Sequence, residues 1–157
     1  MFLGENPFEE KEIENYKNTK FDLTHLKKIG LTGSFSDKTI HFLSNIKFLN
    51  LETIYISRNN LSSLSFLENV NCKNLVSFWA INNNLTNYDD ILNLPFKENI
   101  NKINLKGNKI NNIDNLLDFI KHFPNLEELI LLDNPIDKEN LKYKQIINEI
   151  KNIKLVI

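Results

Sequence analysis

The sequence predicts an α/β solenoid. About five stacked repeats place short strands in a concave parallel β-sheet, with helical or irregular segments on the convex side and helical caps at both ends. Two observations predict this. Asn59, Asn83, Asn108 and Asn134 recur 24 to 26 residues apart, and each sits in the same apolar frame. Self-similarity with a period of roughly 20–50 residues marks proteins built by stacking one supersecondary unit.

The frame reads Leu51, Ile54, Ile56, Asn59, Leu61, Leu64 in one copy and Leu75, Phe78, Ala80, Asn83, Leu85, Tyr88 in the next. It continues as Ile100, Ile103, Leu105, Asn108, Ile110, Ile113, then Leu126, Leu129, Leu131, Asn134, Ile136. A degraded copy, Leu26, Ile29, Leu31, precedes them, with Ser34 where Asn is expected. The pattern L-x-x-L-x-L-x-x-N-x-L resembles the signature of the leucine-rich repeat family, from about Leu26 to the end of the chain.

Each element follows from this frame. In L-x-L the alternate side chains of a short strand point to one face. One repeat cannot bury that row alone, so neighbours must stack. The Asn falls where the chain leaves the strand. Its amide offers donors and acceptors for turn backbone groups, so the four asparagines are read as a structural ladder and not as ligands. Residues 113–123 predict a helix, with Ile113, Leu116, Leu117, Ile120 and Phe123 on one face and Pro124 as the stop. Residues 62–73 are less periodic, and residues 86–99, with Pro95, predict partly irregular chain.

The whole of residues 1–157 is expected to form one domain: an N-terminal cap over 1–25, repeats over 26–136 and a C-terminal cap over 137–157. In the first cap, Asn6, Pro7 and Glu9 predict the start of a helix over 6–18. Its Phe8, Ile13 and Tyr16 would cover the first strand. In the second, Tyr143, Ile146, Ile147 and Ile150 give an apolar helix face, and the alternation of Ile153, Leu155 and Ile157 predicts a last strand.

Composition narrows the function classes. The 157 residues carry a formal net charge of −1, so no global field draws the chain to nucleic acid or to an anionic membrane. The one cysteine, Cys72, cannot form an internal disulfide, which favours a reducing compartment. No apolar run is long enough to span a bilayer, and the first residues do not read as a secretory signal. The expected setting is intracellular, nuclear or cytoplasmic. The single arginine, Arg58, and heavy use of Asn, Lys and Ile read as a coding bias toward A and T, which argues against weight on any one Asn-rich run.

Little in the sequence suggests chemistry. His25, His41 and His122 are isolated, and no phosphate-binding glycine loop is present among Gly4, Gly30, Gly33 and Gly107. Cys72 reads as an inert core thiol, and Asp89-Asp90 and Glu127-Glu128 read as solvent-facing. No catalytic group, metal, cofactor or small-molecule substrate is expected.

The outward positions of the strands remain. Their central column is Gly30, Tyr55, Trp79, Asn104, Ile130, flanked by Thr32, Ser57, Ile81, Lys106, Leu132 and by Lys28, Thr53, Ser77, Lys102, Glu128. Tyr55 and Trp79 fall on adjacent strands, about 4.8 Å apart. Aromatic groups on a polar-rimmed face mark binding sites. The candidate partner-binding residues are therefore Tyr55, Trp79, Ile81, Asn104, Lys106, Ile130 and Leu132.

The block Asn134-Pro135-Ile136, with Leu141, Tyr143 and the Ile-rich segment after it, resembles the C-terminal cap of an intracellular subgroup. That subgroup includes the spliceosomal A-prime protein, the leucine-rich regulatory subunit of protein phosphatase 1, the repeat domain of the mRNA export receptor and the acidic nuclear phosphoproteins. The resemblance implies non-enzymatic recognition of a protein partner, as an adaptor or subunit of a larger assembly. The alternative it leaves open is a nucleoprotein component of splicing or mRNA-export type that touches RNA together with a partner.

Overall fold

The alternation of each L-x-L segment, repeated at a fixed interval, builds a single parallel sheet. The computed structural model describes residues 2–3, 24–33, 43–44, 48–94, 97–150 and 152–157. Its seven strands lie in chain order: β1 (Phe2–Leu3), β2 (Lys28–Leu31), β3 (Thr53–Tyr55), β4 (Ser77–Trp79), β5 (Lys102–Asn104), β6 (Glu128–Ile130) and β7 (Lys154–Val156). The register is the one the repeat frame dictates: Ile29, Ile54, Phe78, Ile103, Leu129 and Leu155 are aligned across the sheet. The sheet is thus wider than the five repeat strands. β7 is the last strand expected from alternation. β1 is unforeseen, being two residues with no repeat frame. The helix expected over 6–18, with Asn6, Pro7, Phe8, Glu9, Ile13 and Tyr16, lies outside the described residues, as do Ser34, His41 and Pro95.

The return segments cover one face of the sheet. Among the described residues they contain two 3-10 helices, Ser65–Asn69 and Lys97–Asn99, and three α-helices: α1 (Asp89–Leu92), α2 (Leu116–Lys121) and α3 (Leu141–Glu149). Between them and the sheet lies one continuous core, which includes Leu51, Ile54, Ile56, Leu75, Phe78, Ile103, Leu105, Leu129 and Leu131. Tyr88, Phe119 and Phe123 run through it as a chain of rings, with centroids 4.8 and 5.0 Å apart. The Tyr88 hydroxyl donates to the Asn112 carbonyl at 2.6 Å. Burial, then Asp89 and Asp114, raise its pKa well above the ordinary phenol value.

The predicted asparagine ladder links each repeat to the next. Asn83 Oδ1 accepts from the amides of Asn59 and Leu61, both at 3.1 Å, and its Nδ2 donates to the Ile56 carbonyl at 2.7 Å. Asn108 joins Leu85 to Ala80, and Asn134 joins Ile110 to Leu105, in the same way. Asn59 donates to the Leu31 carbonyl at 2.8 Å, but its own Oδ1 is buried and has no partner among the described residues. The amides that the frame would supply are those of Ser34 and Ser36, outside the described residues.

The residue before each rung adopts a left-handed conformation: Gly33, Arg58, Asn82, Gly107 and Asp133 have φ of 96°, 58°, 54°, 67° and 59°. Gly, Asn and Asp tolerate this region best, and Arg58 is the exception. At Gly107 a Cβ would also stand 2.0 Å from Asn82 Oδ1, so the conformation favours glycine there and any larger residue would have to move the Asn82 side chain.

Candidate functional site

The core takes one side of every strand, so the other side presents three straight columns of side chains. Strand pairing sets Gly30, Tyr55, Trp79, Asn104, Ile130 and Val156 in one row, and Lys28, Thr53, Ser77, Lys102, Glu128 and Lys154 in the next. The register of the central column therefore agrees residue by residue with the sequence expectation.

Tyr55 and Trp79 form the centre of this face. Both are half-buried, with ring centroids 5.4 Å apart and planes tilted by 41°. The indole N–H donates to Ser77 Oγ at 2.7 Å on its own strand. From the opposite flanking strand, Lys102 Nζ lies over the indole, 5.0 Å from its centroid. Trp79 is thus contacted from both sides, and its polar atom is satisfied. What it offers a visitor is apolar surface held on rigid backbone.

Lys102 is itself held. Glu128 sits between Lys102 and Lys154, forming an ion pair with each, the second at 2.6 Å. Hydrogen bonds from the two lysines pull the Glu128 pKa below the ordinary carboxylate value. Read from sequence as solvent-facing, Glu128 has a side chain only 16% exposed; the lysines that enclose it are about one repeat away on each side. Asp90 corrects the same expectation, since its Oδ2 accepts from the Leu64 amide at 2.6 Å.

The other predicted site residues divide by accessibility. Ile81, Ile130 and Leu132 are half-buried, on the same face as the aromatic pair. Lys106 pairs with Asp133 at 3.3 Å. Asn104 occupies its place in the central column but is only 4% exposed, and its Oδ1 accepts from the Lys106 amide at 3.0 Å. A short side chain can fold back onto its own strand where Tyr or Trp cannot. On the convex side, an open groove of about 440 Å³ is lined by Leu117, Ile120, Ile150 and Ile153, among others.

Solved structures share this architecture. The chain is similar to a leucine-rich repeat protein of Leptospira interrogans, with 19% identity and a TM-score of 0.57 over 82% of this chain and 35% of that one. It is also similar to an internalin of Listeria monocytogenes, with 15% identity and a TM-score of 0.55 over 82% of this chain and 33% of that one. The fold is a leucine-rich repeat solenoid. This chain spans about a third of the length of either structure, and the likeness speaks to fold alone. No family model matches the chain, and no curated protein does.

Within the solenoid a second asparagine series stands beside the first. Asn50, Asn74, Asn99 and Asn125 each donate through Nδ2 to a carbonyl of the preceding repeat, at Thr24, Leu49, Lys73 and Glu98, over 2.6–2.8 Å. Each directly precedes the first apolar residue of its repeat, Leu51, Leu75, Ile100 or Leu126. That spacing was visible in the sequence, but the general abundance of Asn masked it.

Groups suited to covalent or metal chemistry are dispersed. Cys72 is buried 3.6 Å from the Val70 carbonyl, and burial pushes its thiol pKa up to about 11. His122 Nδ1 contacts the Asp118 carbonyl at 2.6 Å. Among the described residues no group of three or more His, Cys, Asp or Glu could hold a metal ion, and no helix is long and apolar enough to cross a membrane.

Proposed function

We propose that this solenoid is a non-enzymatic protein-interaction module that docks a partner on its concave face, with Tyr55 and Trp79 as the anchor. The observation that carries the reading is that aromatic pair, 5.4 Å apart in the centre of the sheet and half-exposed on a face the core does not use. Aromatic side chains on a rigid support bind at little entropic cost and dominate interface energetics. Ile81, Ile130 and Leu132 extend the apolar surface, and Lys106 stands at its edge. The resemblance of the C-terminal cap supports the reading of an intracellular adaptor, in nucleus or cytoplasm, as one subunit of an assembly.

RNA is the weaker reading. A base stacks on a free aromatic or guanidinium face, whereas the indole is flanked by Tyr55 and Lys102. Lys102, Lys106 and Lys154 all have carboxylate partners, so few positive charges remain to meet phosphate.

Parallel affinity purifications from the source cells, with the wild-type chain and Trp79→Ala as baits, test the proposal. Chains recovered with wild type should be depleted on the variant, in line with a loss of about 1–3 kcal/mol. An unchanged set of co-purifying chains on a folded Trp79→Ala bait refutes it.

A further inference from the structure

We propose that the partner segment is an extended polypeptide of polyproline II type, with two apolar side chains three residues apart and a main-chain carbonyl between them that accepts from Asn104 Nδ2. The inference rests on the concave-face reading above and adds the conformation and chemistry of the occupant. Its basis is the middle of the central column, where strand pairing sets Trp79, Asn104 and Ile130 side by side on β4, β5 and β6. Asn104 Oδ1 accepts from the Lys106 amide at 3.0 Å. A backbone N–H can only donate, so the atom it meets is the oxygen and the other is the NH2 group. That group has no acceptor among the described residues, although Asn104 is only 4% exposed. It is not sealed in either, since among the described residues the enclosed side-chain polar atom without a partner is Asn59 Oδ1. Nδ2 therefore keeps an opening to the concave surface and donors to offer there.

The donor lies between two apolar patches. Trp79 and Ile81 stand on one side of it and Ile130 and Leu132 on the other, all half-buried. Lys102 and Lys106 flank Asn104 on its own strand, but each is turned onto a carboxylate, Glu128 or Asp133. The middle strand thus offers a visitor an amide donor and no spare charge. Two strand spacings, about 9.6 Å, separate the patches. A polyproline II segment returns to the same face every three residues, at about 9.3 Å, and its carbonyls make no internal hydrogen bonds. An α-helix also comes near this distance, with residues seven apart about 10.5 Å along its axis. Its interior carbonyls already accept from its own backbone, however, so it would cover Nδ2 without supplying a main-chain acceptor, which is costly for a buried donor. A β-strand returns to one face at about 6.7 Å, too short to fill both patches.

The test is selection from a displayed library of short randomised peptides, without tryptophan, against the immobilised full chain. The single tryptophan of the chain is Trp79, so its emission reports occupancy directly. Enriched peptides should carry two apolar residues separated by two others, favour proline near them, show no helix by circular dichroism and shift Trp79 emission. They should lose affinity about tenfold on Asn104→Asp, which keeps the acceptor for the Lys106 amide and removes the donor, and should also lose it on Trp79→Ala, each variant shown to be folded. Lengthening the interval between the two apolar residues by one should weaken binding by a like factor with the chain unchanged. Helical peptides that lose binding on Trp79→Ala but not on Asn104→Asp, or peptides indifferent to the interval, would overturn this inference and leave the docking face standing. Peptides indifferent to Trp79→Ala, or no enrichment at all, would overturn both. Polyuridine that displaces the peptides and is itself lost on Trp79→Ala would reassign the face to nucleic acid, overturning both as well.

Discussion

Removing one rung of the buried ladder should cost an amount that depends on which rung is taken. Asn83→Ala strands the Asn59 and Leu61 amides and the Ile56 carbonyl, three groups that the side chain now satisfies at 2.7–3.1 Å. At about 1–3 kcal/mol for each buried group left without a partner, and nearer the lower end for the half-buried Leu61, the loss is about 4 kcal/mol. Asn59→Ala strands only carbonyls, those of Leu31 and Ser57. It also deletes an oxygen that is buried and has no partner among the described residues, so its cost should be about 2 kcal/mol by the same scale. Equilibrium urea unfolding, followed by far-ultraviolet circular dichroism, measures both. With an m-value of about 2 kcal/mol/M, the midpoint should fall by about 2 M for Asn83→Ala and about 1 M for Asn59→Ala. Equal midpoints for the two variants, or a loss below about 1 kcal/mol for Asn83→Ala, would refute the reasoning that these side chains work through backbone satisfaction.

Three further outcomes are expected. Gly107→Ala should destabilise by about 1–2 kcal/mol, from the left-handed backbone and the contact with Asn82. Part of that cost should disappear in an Asn82→Ala background, as a double-mutant cycle in urea will register. The Glu128 pKa is lower in the folded chain, so its contribution to stability is present above the ordinary carboxylate range and lost as pH falls through its folded value. Acid should then release Lys102 from Glu128 and alter Trp79 emission, a step that Glu128→Gln should lack; superimposable titrations would rule this out. Cys72, with its thiol raised to about 11 by burial, should resist a thiol-disulfide reagent at pH 8 and react once urea unfolds the chain.

The strand columns were legible because two periods act together. Side chains alternate along each strand, and a nearly constant repeat brings equivalent residues into line, so Tyr55, Trp79 and Ile130 could be assigned to one row from spacing alone. What escaped the sequence reading depends on partners one repeat away. The Asn50, Asn74, Asn99 and Asn125 series is as regular as the buried ladder, but it looks like coding bias until its carbonyl acceptors are known. Glu128 reads as a solvated charge until Lys102 and Lys154 are placed on the strands either side of it. Asn104 shows a different limit: alternation gives the direction of its Cβ, not whether a short amide turns back to its own backbone. β1 has too few residues to show any period.

The two asparagine ladders explain why the concave face can serve recognition. One joins neighbouring repeats where the chain leaves each strand, the other where it approaches the next, and the apolar columns beneath the sheet supply the remaining cohesion. Between these supports, Ile81, Ile130 and Leu132 have no polar side-chain atoms, and the indole N–H of Trp79 donates to Ser77 on its own strand. The hydrogen bonds that join the repeats therefore do not fix their identities. A large indole beside a tyrosine on the outward face of a sheet is the kind of feature that marks a binding surface. Strands bonded along their length also hold both rings in place before any partner arrives, which removes the ordering cost that a loop-borne site would carry on binding.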